Sequence, residues 1–381
     1  MLQQTLDKKE CVKFRNKIRS FLKQEVLPHA LNWEQDRQAP ANNILEALGH
    51  NGFLGLSVPK KQGGHGKSFI YEVILAEELA RSHALGWALS VLVQSNVVPH
   101  ILSDFGTTEQ QSVIKMAVKG SSYTALAATE KTHGSDLLST STFAKLTGDT
   151  YVLNGSKRYI TNGNIASHLL VTARTKDDTG PWSHSLFLVP GNTKGLTRTR
   201  LRTTGLKTSD TAEIILNNVV VPKNSLVGQN GKAFVYLLKG LQRERLLGGC
   251  ALVSLAEHAL EEVREELKKR ERFGKPLSEM QALRHRISDL SSDIALAKSF
   301  TYQTVEKYLD DKPSDQDIAM IKLRVYSSVQ HIIRECAQLL GAEAFIEEHW
   351  LAHAAQDVQA ITVAAGTSEI MRELLATMRR N

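Results

Sequence analysis

Two changes in the periodicity of apolar residues constrain the fold of this 381-residue chain most strongly. Residues 8–120 repeat apolar side chains every three or four positions, as at Phe14, Ile18 and Phe21, which predicts amphipathic helices. Residues 121–222 instead carry short β-branched and aromatic runs separated by Thr-Gly-Asp, Asn-Gly and Pro-Gly, which are typical of antiparallel hairpins. A helical segment therefore precedes an all-β segment.

Long helical periods return from Gly231. They cover residues 281–308 and 315–340, and a last stretch ends at Arg380. Helices, then strands, then long helices predict an α+β protein of several domains. We expect an N-terminal helical domain at 1–120, a central β-barrel at 121–230 and a C-terminal four-helix bundle at 231–381.

Composition and charge exclude several classes of protein. With 42% hydrophobic and 23% charged residues, the chain has the composition of a globular protein rather than a disordered or fibrous one. Its net charge of +7 is spread along the whole chain, so we expect no nucleic-acid partner; the excess suits an anionic cofactor, coenzyme A or an acidic carrier protein, and an ordinary mixed surface equally well.

The sequence predicts neither a membrane segment nor a metal site. We expect that no apolar run approaches the length of a membrane span. Residues 1–9 lack a signal-peptide core, so we also expect no membrane contact and a cytoplasmic location. Cys11, Cys250 and Cys336 are far apart and lack metal-ligand spacing. We expect them to be buried thiols.

Glu244 places a carboxylate in a gap of an apolar helical stripe. The stripe comprises Phe234, Leu237, Leu238, Leu241, Gly248, Leu252, Leu255 and Ala259. A carboxylate removed from water holds its proton more tightly and becomes a useful general base near neutral pH. The pair Gly248 and Gly249 suggests open space beside it, since glycine is costly inside a helix. Alternatively, Glu244 forms a structural ion pair with Arg243, Arg245 or another buried cation.

Six motifs in series resemble the acyl-CoA dehydrogenase family across nearly the whole chain. They are Gly55–Gly66 with Gln62 in place of an aromatic residue, Thr129–Asp136 with Lys131 in place of proline, Tyr151–Gly163, Arg270–Leu277 with Gln281, Gln338–Gly341 and Gly366–Ile370. The resemblance implies the acyl-CoA dehydrogenase fold and FAD as the cofactor.

The resemblance also implies which residues hold FAD. One group would contact the flavin: Ala127, Thr129, Ser135, Tyr159 and Thr161. A second group would reach the adenine dinucleotide of a neighbouring subunit in a homotetramer or a dimer of dimers: Arg270, Phe273 and Gln281. Gln338, Gly341, Thr367 and Glu369 would complete the site, with Ala344 in place of a family glycine. Tyr159 would otherwise be an ordinary strand aromatic, and Arg270 a cation at a helix C-terminus.

The main departure from the family lies at Ala365, where most members carry the catalytic glutamate. Isovaleryl-CoA and long-chain acyl-CoA dehydrogenases place the base within a Glu-Arg-Leu sequence instead, which Glu244-Arg245-Leu246 matches. The resemblance therefore implies that Glu244 removes the α-proton of an acyl thioester while the β-hydrogen leaves as hydride. The backbone N–H of Ala365 and a flavin ribityl hydroxyl would bind the thioester oxygen.

The motifs leave the substrate and the electron acceptor open. A prolyl group on a carrier protein, oxidised to a pyrroline thioester, is our preferred interpretation, and a short or branched acyl-CoA is the alternative, which the small residues Gly248, Gly249 and Ala365 favour. Electrons would pass to oxygen or to a transfer flavoprotein. A protein of this fold that binds flavin and thioester without catalysis is a further alternative, and a nitroalkane-oxidising or hydroxylating flavoenzyme another, although no second base or oxygen-activating site is indicated.

Overall fold

The computed structural model describes residues 2–40, 42–176 and 182–378, and the predicted order of helical, β and helical segments is confirmed. Within these residues the N-terminal part contains helices and no strand, with one short 3₁₀ turn at Lys60–Gln62. Its helices are α1 (Leu2–Leu6), α2 (Lys9–Glu25), α3 (Leu27–Gln35), α4 (Asn42–His50), α5 (Ile70–Leu79), α6 (Leu85–Asn96), α7 (Val98–Phe105) and α8 (Ser112–Lys119).

Among the described residues, eight strands form the middle domain. They are β1 (Tyr123–Ala127), β2 (Phe143–Thr147), β3 (Thr150–Thr161), β4 (Ala166–Arg174), β5 (His184–Pro190), β6 (Leu196–Arg200), β7 (Thr211–Pro222) and β8 (Leu226–Val227), with 3₁₀ turns at Leu137–Ser139 and Lys223–Ser225. The expected barrel is one mixed sheet in the order β6-β7-β3-β2-β4-β5-β8. Antiparallel hairpins are present as expected, at β2–β3, β4–β5 and β6–β7, whereas β1 lies parallel to β4.

The C-terminal part is a bundle of long helices. They are α9 (Ala233–Lys269), α10 (Gln281–Leu309), α11 (Asp315–Met320), α12 (Tyr326–Leu340), α13 (Trp350–Val363) and α14 (Ser368–Met378). A π-helical turn at Ile321–Val325 joins α11 to α12, a hairpin of β9 (Glu271–Arg272) and β10 (Lys275–Pro276) follows α9, and 3₁₀ turns lie at Leu277–Glu279 and Gly341–Phe345. The predicted end of the last helix at Arg380 lies outside the described residues.

The apolar stripe of α9 differs from the predicted one at its N-terminal end. Leu237, Leu252, Leu255 and Ala259 are buried as expected, but 49% of Leu238 is exposed. This half of α9 buries a face that is rotated from the predicted one. The buried face carries Ala233, Leu237 and Gly240 and continues to Leu247 and Ala251. Glu244 follows Gly240 on that face by one helical turn, so the carboxylate still points inward.

Contrary to expectation, one apolar run does reach the length of a membrane span. Leu85–Phe105 is a stretch of 21 residues that is long and apolar enough to cross a membrane by length and composition. In the structure it forms two helices, α6 and α7, because Pro99 lies in the first turn of α7 and the helix is interrupted at Val97. Of its 18-residue apolar window, 83% is buried within the protein, as expected for core helices.

Helix α13 is anchored so that its C-terminal end has a fixed place. At its N-terminus, Trp350 Nε1 donates to Glu262 Oε2 at 2.7 Å, and His349 Nε2 lies 3.2 Å from the other oxygen. In its middle, the buried Asp357 accepts a hydrogen bond from Leu206 N in the β6–β7 loop at 2.5 Å. These bonds tie α13 to α9 and to the sheet domain, immediately before the segment that contains Ala365.

Candidate active site

A cavity of about 40 Å³ lies between the N-terminal helices and the C-terminal bundle. It brings together Glu244 and Ala365, the two residues that the sequence predicts to act on substrate. Its other lining residues come from α6, α9, α13 and the helix that contains the π turn: Leu89, Leu92, Val93, Asn96, Leu247, Gly248, Lys322, Tyr326, Ile361 and Ala364. The cavity is mainly apolar, with one carboxylate on its wall.

Glu244 is not engaged in the ion pair that was the alternative to a catalytic role. Arg243 pairs with the buried Glu72 instead, and Arg245 Nε donates to the carbonyl oxygen of Ala365 at 2.9 Å. Within the described ranges, neither an ion-pair partner nor a hydrogen-bond donor reaches the Glu244 carboxylate. Burial raises the pKa of Glu244 above its ordinary value, and the charges of Arg245 and Lys322 oppose that rise. The carboxylate is thus available to accept a proton.

Ala365 holds a backbone conformation that suits a binding role. Its φ is 55°, in the left-handed region that residues other than glycine rarely adopt. Arg245 fixes its carbonyl, while in the part of the chain that the structure describes its N–H has no hydrogen-bond acceptor. An N–H that is free beside a carboxylate can bind an oxygen on which negative charge develops.

The two glycines beside Glu244 have a different purpose from the predicted one. A Cβ on Gly248 would meet the Tyr326 hydroxyl at 2.0 Å, and a Cβ on Gly249 would meet Ile321 Cγ2 at 2.5 Å. Gly248 does line the cavity, but both glycines allow α9 to approach the segment that contains the π turn. Their presence therefore reports close helix packing, which sequence periodicity alone does not distinguish from an open pocket.

Gly248→Ala is expected to destabilise the protein by about 1–3 kcal/mol, because the added methyl group overpacks the contact with Tyr326. Gly240→Ala on the same helix is the matched control, since its Cβ would lie 3.3 Å from the flexible Ile101 Cδ1 and alanine is the better helix former. Urea unfolding measures both. Equal free energies of unfolding for the two variants would contradict the assigned packing.

The first group of predicted cofactor residues lies where β1 and β3 end. Ala127 is the last residue of β1, Thr161 is the last of β3, and Arg158 N donates to Thr129 O at 2.8 Å, which joins the two segments. The register of β3 shifts between Lys157 and Ile160, and Tyr159 has a φ of 63°. This bulge turns the Tyr159 ring outward, 57% exposed, as a flat surface beside the Thr129 loop. The arrangement fits one face of an isoalloxazine ring.

A buried ion pair supports that loop, and sequence analysis did not identify it. Lys157 Nζ donates to Glu130 Oε1 at 2.9 Å and to Ala128 O at 3.0 Å, from a fully buried position. Glu130 also accepts hydrogen bonds from Ser141 and Thr142. Burial opposes ionisation of Glu130, but Lys157, Thr142 and Ser141 together lower its pKa to about 2. The network fixes the backbone on both sides of Thr129. Ser135 is exposed on the same loop.

Helix α6 connects this loop region to the cavity. Gln94 Oε1 accepts a hydrogen bond from Thr124 N on β1 at 2.7 Å, and Asn162 Nδ2 donates to Ser90 O at 3.1 Å. On the same helix, Leu89 and Val93 line the cavity beside Glu244. The segments with flavin-binding motifs and the predicted base are therefore positioned by one rigid helix.

The second group of predicted cofactor residues lies at the far end of α9. Arg270 Nη1 donates to Leu340 O at 2.6 Å, which places the arginine beside Gly341 at the end of α12. Phe273 on the β9–β10 hairpin is 90% exposed with a φ of 54°, and Gln281 and Gln338 are exposed. Among the described residues, no hydrogen bond or ion pair links this group to the Thr129 and Tyr159 group. That two separate groups meet across a subunit interface stays a prediction.

Thr367 and Glu369 lie at the start of α14. Thr367 Oγ1 accepts a hydrogen bond from Ile370 N at 3.4 Å, so it caps the helix. Glu369 is exposed and pairs with Arg372 at 3.0 Å. Neither contacts Glu244, and both would face a ligand only outside the cavity described above.

Sequence analysis missed Lys322 and Tyr326, which line the cavity opposite Glu244. Lys322 is only 2% exposed although it interrupts an apolar run in a predicted helix. A lysine on the buried face of a helix was the signal that could have indicated it.

Comparison with known proteins identifies the family of the chain. Sequence models of the N-terminal, middle and C-terminal domains of acyl-CoA dehydrogenase match residues 8–117, 125–219 and 231–378. Long-chain specific acyl-CoA dehydrogenase from mitochondria of Mus musculus is 33% identical over 367 residues, covering 95% of this chain and 85% of that protein. Isovaleryl-CoA dehydrogenase from mitochondria of Solanum tuberosum is 29% identical, covering 95% and 88%.

The fold is also similar to that of a solved structure. An acyl-CoA dehydrogenase from Geobacillus kaustophilus superimposes with a TM-score of 0.93 at 33% identity, covering 97% of this chain and 98% of that one. The matched domains lie within the three predicted ranges and cover most of the chain. The chain belongs to the acyl-CoA dehydrogenase family, whose members are FAD-dependent oxidoreductases.

Proposed function

We propose that this protein catalyses the FAD-dependent α,β-dehydrogenation of an acyl thioester, with Glu244 as the base. The observation that carries the proposal is the Glu244 carboxylate, which is unpaired within the described residues and faces an apolar cavity beside Ala365. A structural ion pair would have engaged it with Arg243 or Arg245, which bind elsewhere.

The residues of the cavity divide the chemistry between them. Glu244 accepts the proton from the α-carbon, and the Ala365 N–H binds the thioester oxygen, where negative charge gathers as that proton leaves. Bound FAD would supply the hydride acceptor for the β-hydrogen, so that the acyl chain would lose one proton and one hydride and gain a double bond. Leu89, Leu92 and Val93 would surround the acyl chain and exclude water from Glu244.

The residues at the β1 and β3 ends would hold FAD. Tyr159 presents its ring on an outward bulge, Thr129 lies beside it, and the buried Lys157–Glu130 pair fixes the loop between them. Arg270 and Phe273 remain suited to the dinucleotide end, because guanidinium groups bind pyrophosphate and an exposed aromatic ring can stack on adenine.

An acyl-CoA with a short or branched chain is the substrate that we favour. A cavity of about 40 Å³ suits a compact acyl group, and the names of the compared proteins all specify CoA thioesters. A prolyl group on a carrier protein is supported by a general likeness of the motifs, which do not separate the two substrates, and by the +7 charge, which a CoA phosphate would satisfy as well.

Anaerobic mixing tests the proposal. FAD-loaded protein is mixed with isovaleryl-CoA, butyryl-CoA, a long-chain acyl-CoA and a prolyl carrier protein, and the flavin absorbance is followed. We expect bleaching by an acyl-CoA and formation of the matching α,β-unsaturated thioester. Bleaching by the prolyl carrier protein alone would select that substrate, and a yellow protein that no thioester bleaches would select the non-catalytic alternative.

The oligomeric state, the electron acceptor and the cellular location are further parts of the proposal. A homotetramer would cover Phe273 and Phe345, which are 90% and 77% exposed in the single chain. A transfer flavoprotein or oxygen would reoxidise the flavin, and the protein would work in the cytoplasm. Analytical ultracentrifugation and anaerobic reoxidation with each acceptor test the first two.

A further inference from the structure

Lys322 occupies an unusual place for a lysine. Its side chain is buried, and Nζ donates to Ile361 O at 2.8 Å and to Thr362 O at 3.1 Å. These are carbonyls of the last turn of α13, which has no further helical N–H to satisfy them. A cation at a helix C-terminus is also favoured by the helix dipole. Lys322 thus caps the helix whose end leads directly to Ala365.

The π turn aims Lys322 at the cavity. The extra residue in that turn changes the helix face between α11 and α12, and such turns are common at functional sites. Gly249 makes the close approach to Ile321 possible, and Lys322 Nζ lies 4.0 Å from the centre of the Tyr326 ring. Tyr326 in turn donates its hydroxyl to Arg245 O at 3.0 Å, one residue from Glu244.

The titratable groups that face Glu244 come from three elements. Arg245 lies on α9, Lys322 on the π turn and Tyr326 on α12. Burial raises the pKa of Tyr326, so its hydroxyl is neutral. The residues that line the cavity from α6 and from the end of α13 are apolar apart from the Asn96 amide. Burial lowers the pKa of Lys322 to about 7, with Glu244 opposing and Arg245 adding to the effect. Lys322 therefore gains its charge as the pH falls through about 7, where a cation helps to keep Glu244 ionised.

We propose that Lys322 is a positioning residue for the reaction proposed above: it fixes the Ala365 segment by capping α13, and its charge keeps the Glu244 carboxylate deprotonated at lower pH. The inference rests on the proposed function for its kinetic consequences. Lys322 acts through Glu244 and through the backbone of Ala365, and it contacts no reacting atom itself.

Three substitutions separate the two roles. Lys322→Met removes both the charge and the cap, Lys322→Gln retains a donor without the charge, and Lys322→Arg retains both. With the acyl-CoA that bleaches the wild type fastest, we expect the acid limb of kcat/KM to move up by about one pH unit in the Met and Gln variants, a loss of about tenfold on the acid side that recovers at higher pH. The Arg variant should keep the wild-type limb, and the Met variant alone should raise KM.

Lys298→Met is the matched control. Lys298 pairs with a different glutamate of α9, Glu257 at 2.8 Å, and lies 5.4 Å from a tyrosine ring centre, but it does not line the cavity. We expect no change in its pH profile. A uniform loss of activity at every pH in the Lys322→Gln variant, with full FAD content and an unmoved acid limb, would overturn the proposal and leave the reaction assigned.

An infrared titration keeps the proposal testable even if no thioester is oxidised. The carboxylic acid C=O stretch that Glu244→Gln removes reports the protonation of Glu244 directly, without turnover. We expect this band to appear at higher pH in Lys322→Gln than in the wild type. The same midpoint in both proteins would overturn the inference, whatever the outcome of the activity assays.

Discussion

Glu244→Gln is expected to retain FAD and to lose anaerobic flavin reduction by a factor of about 10² to 10⁴, the range that a positioned general base contributes. Glutamine has nearly the shape of glutamate but cannot accept the α-proton. Since the carboxylate makes no hydrogen bond or ion pair among the described residues, its loss should leave the fold and the flavin content unchanged. Stopped-flow absorbance measures the rate, and the flavin spectrum measures occupancy.

Glu257→Gln is the matched control for that experiment. Glu257 is a partly buried glutamate on the same helix, and its partner is Lys298 rather than the cavity. We expect near wild-type flavin reduction. If Glu244→Gln reduced its flavin at the same rate as this control, Glu244 would not be the base, and Glu369 near the start of α14 would be the next carboxylate to test.

Lys157→Met is expected to have the largest effect on stability. It leaves the Glu130 carboxylate buried without its cation, and breaking one side of a buried pair costs about 3–5 kcal/mol. Because the pair holds the backbone on both sides of Thr129, FAD affinity should fall together with stability. Urea unfolding and the retained flavin after dialysis measure the two effects.

Arg158→Met, on the neighbouring residue of the same strand, provides the comparison. Arg158 pairs with Glu213 at 2.6 Å, with both side chains more than a quarter exposed, so solvent screens the pair and its removal should cost much less stability than that of Lys157. A loss in Lys157→Met that is no greater than in Arg158→Met would contradict the role given to the buried pair.

The sequence predicts the features of this protein that depend on local pattern. The period of the apolar residues defines the helical and β segments, and the carboxylate in the α9 stripe indicates Glu244 before any fold is known. Tyr159 and Ala365 were identified through motifs. Their left-handed backbone was not, because a bulge or a helix-end turn depends on which strand or helix lies opposite.

The remaining features depend on contacts between distant segments. By sequence, Gly248 suggests open space, but in the structure Tyr326, which is far along the chain, packs against it. Leu238 belongs to the predicted stripe but not to the face that α9 buries, since that face is set by the domains it packs against. Lys322 interrupts an apolar run of a predicted helix, but only the position of the α13 C-terminus explains why a lysine is buried there.

The central claim is that the Glu244 carboxylate exchanges a proton with the α-carbon of an acyl thioester. The most direct test is deuterium incorporation at that carbon, by mass spectrometry, after anaerobic incubation of FAD-loaded protein with isovaleryl-CoA in D₂O. We expect incorporation with the wild type and with Glu257→Gln, and none above the enzyme-free blank with Glu244→Gln. Incorporation at the wild-type rate in Glu244→Gln would contradict the assignment.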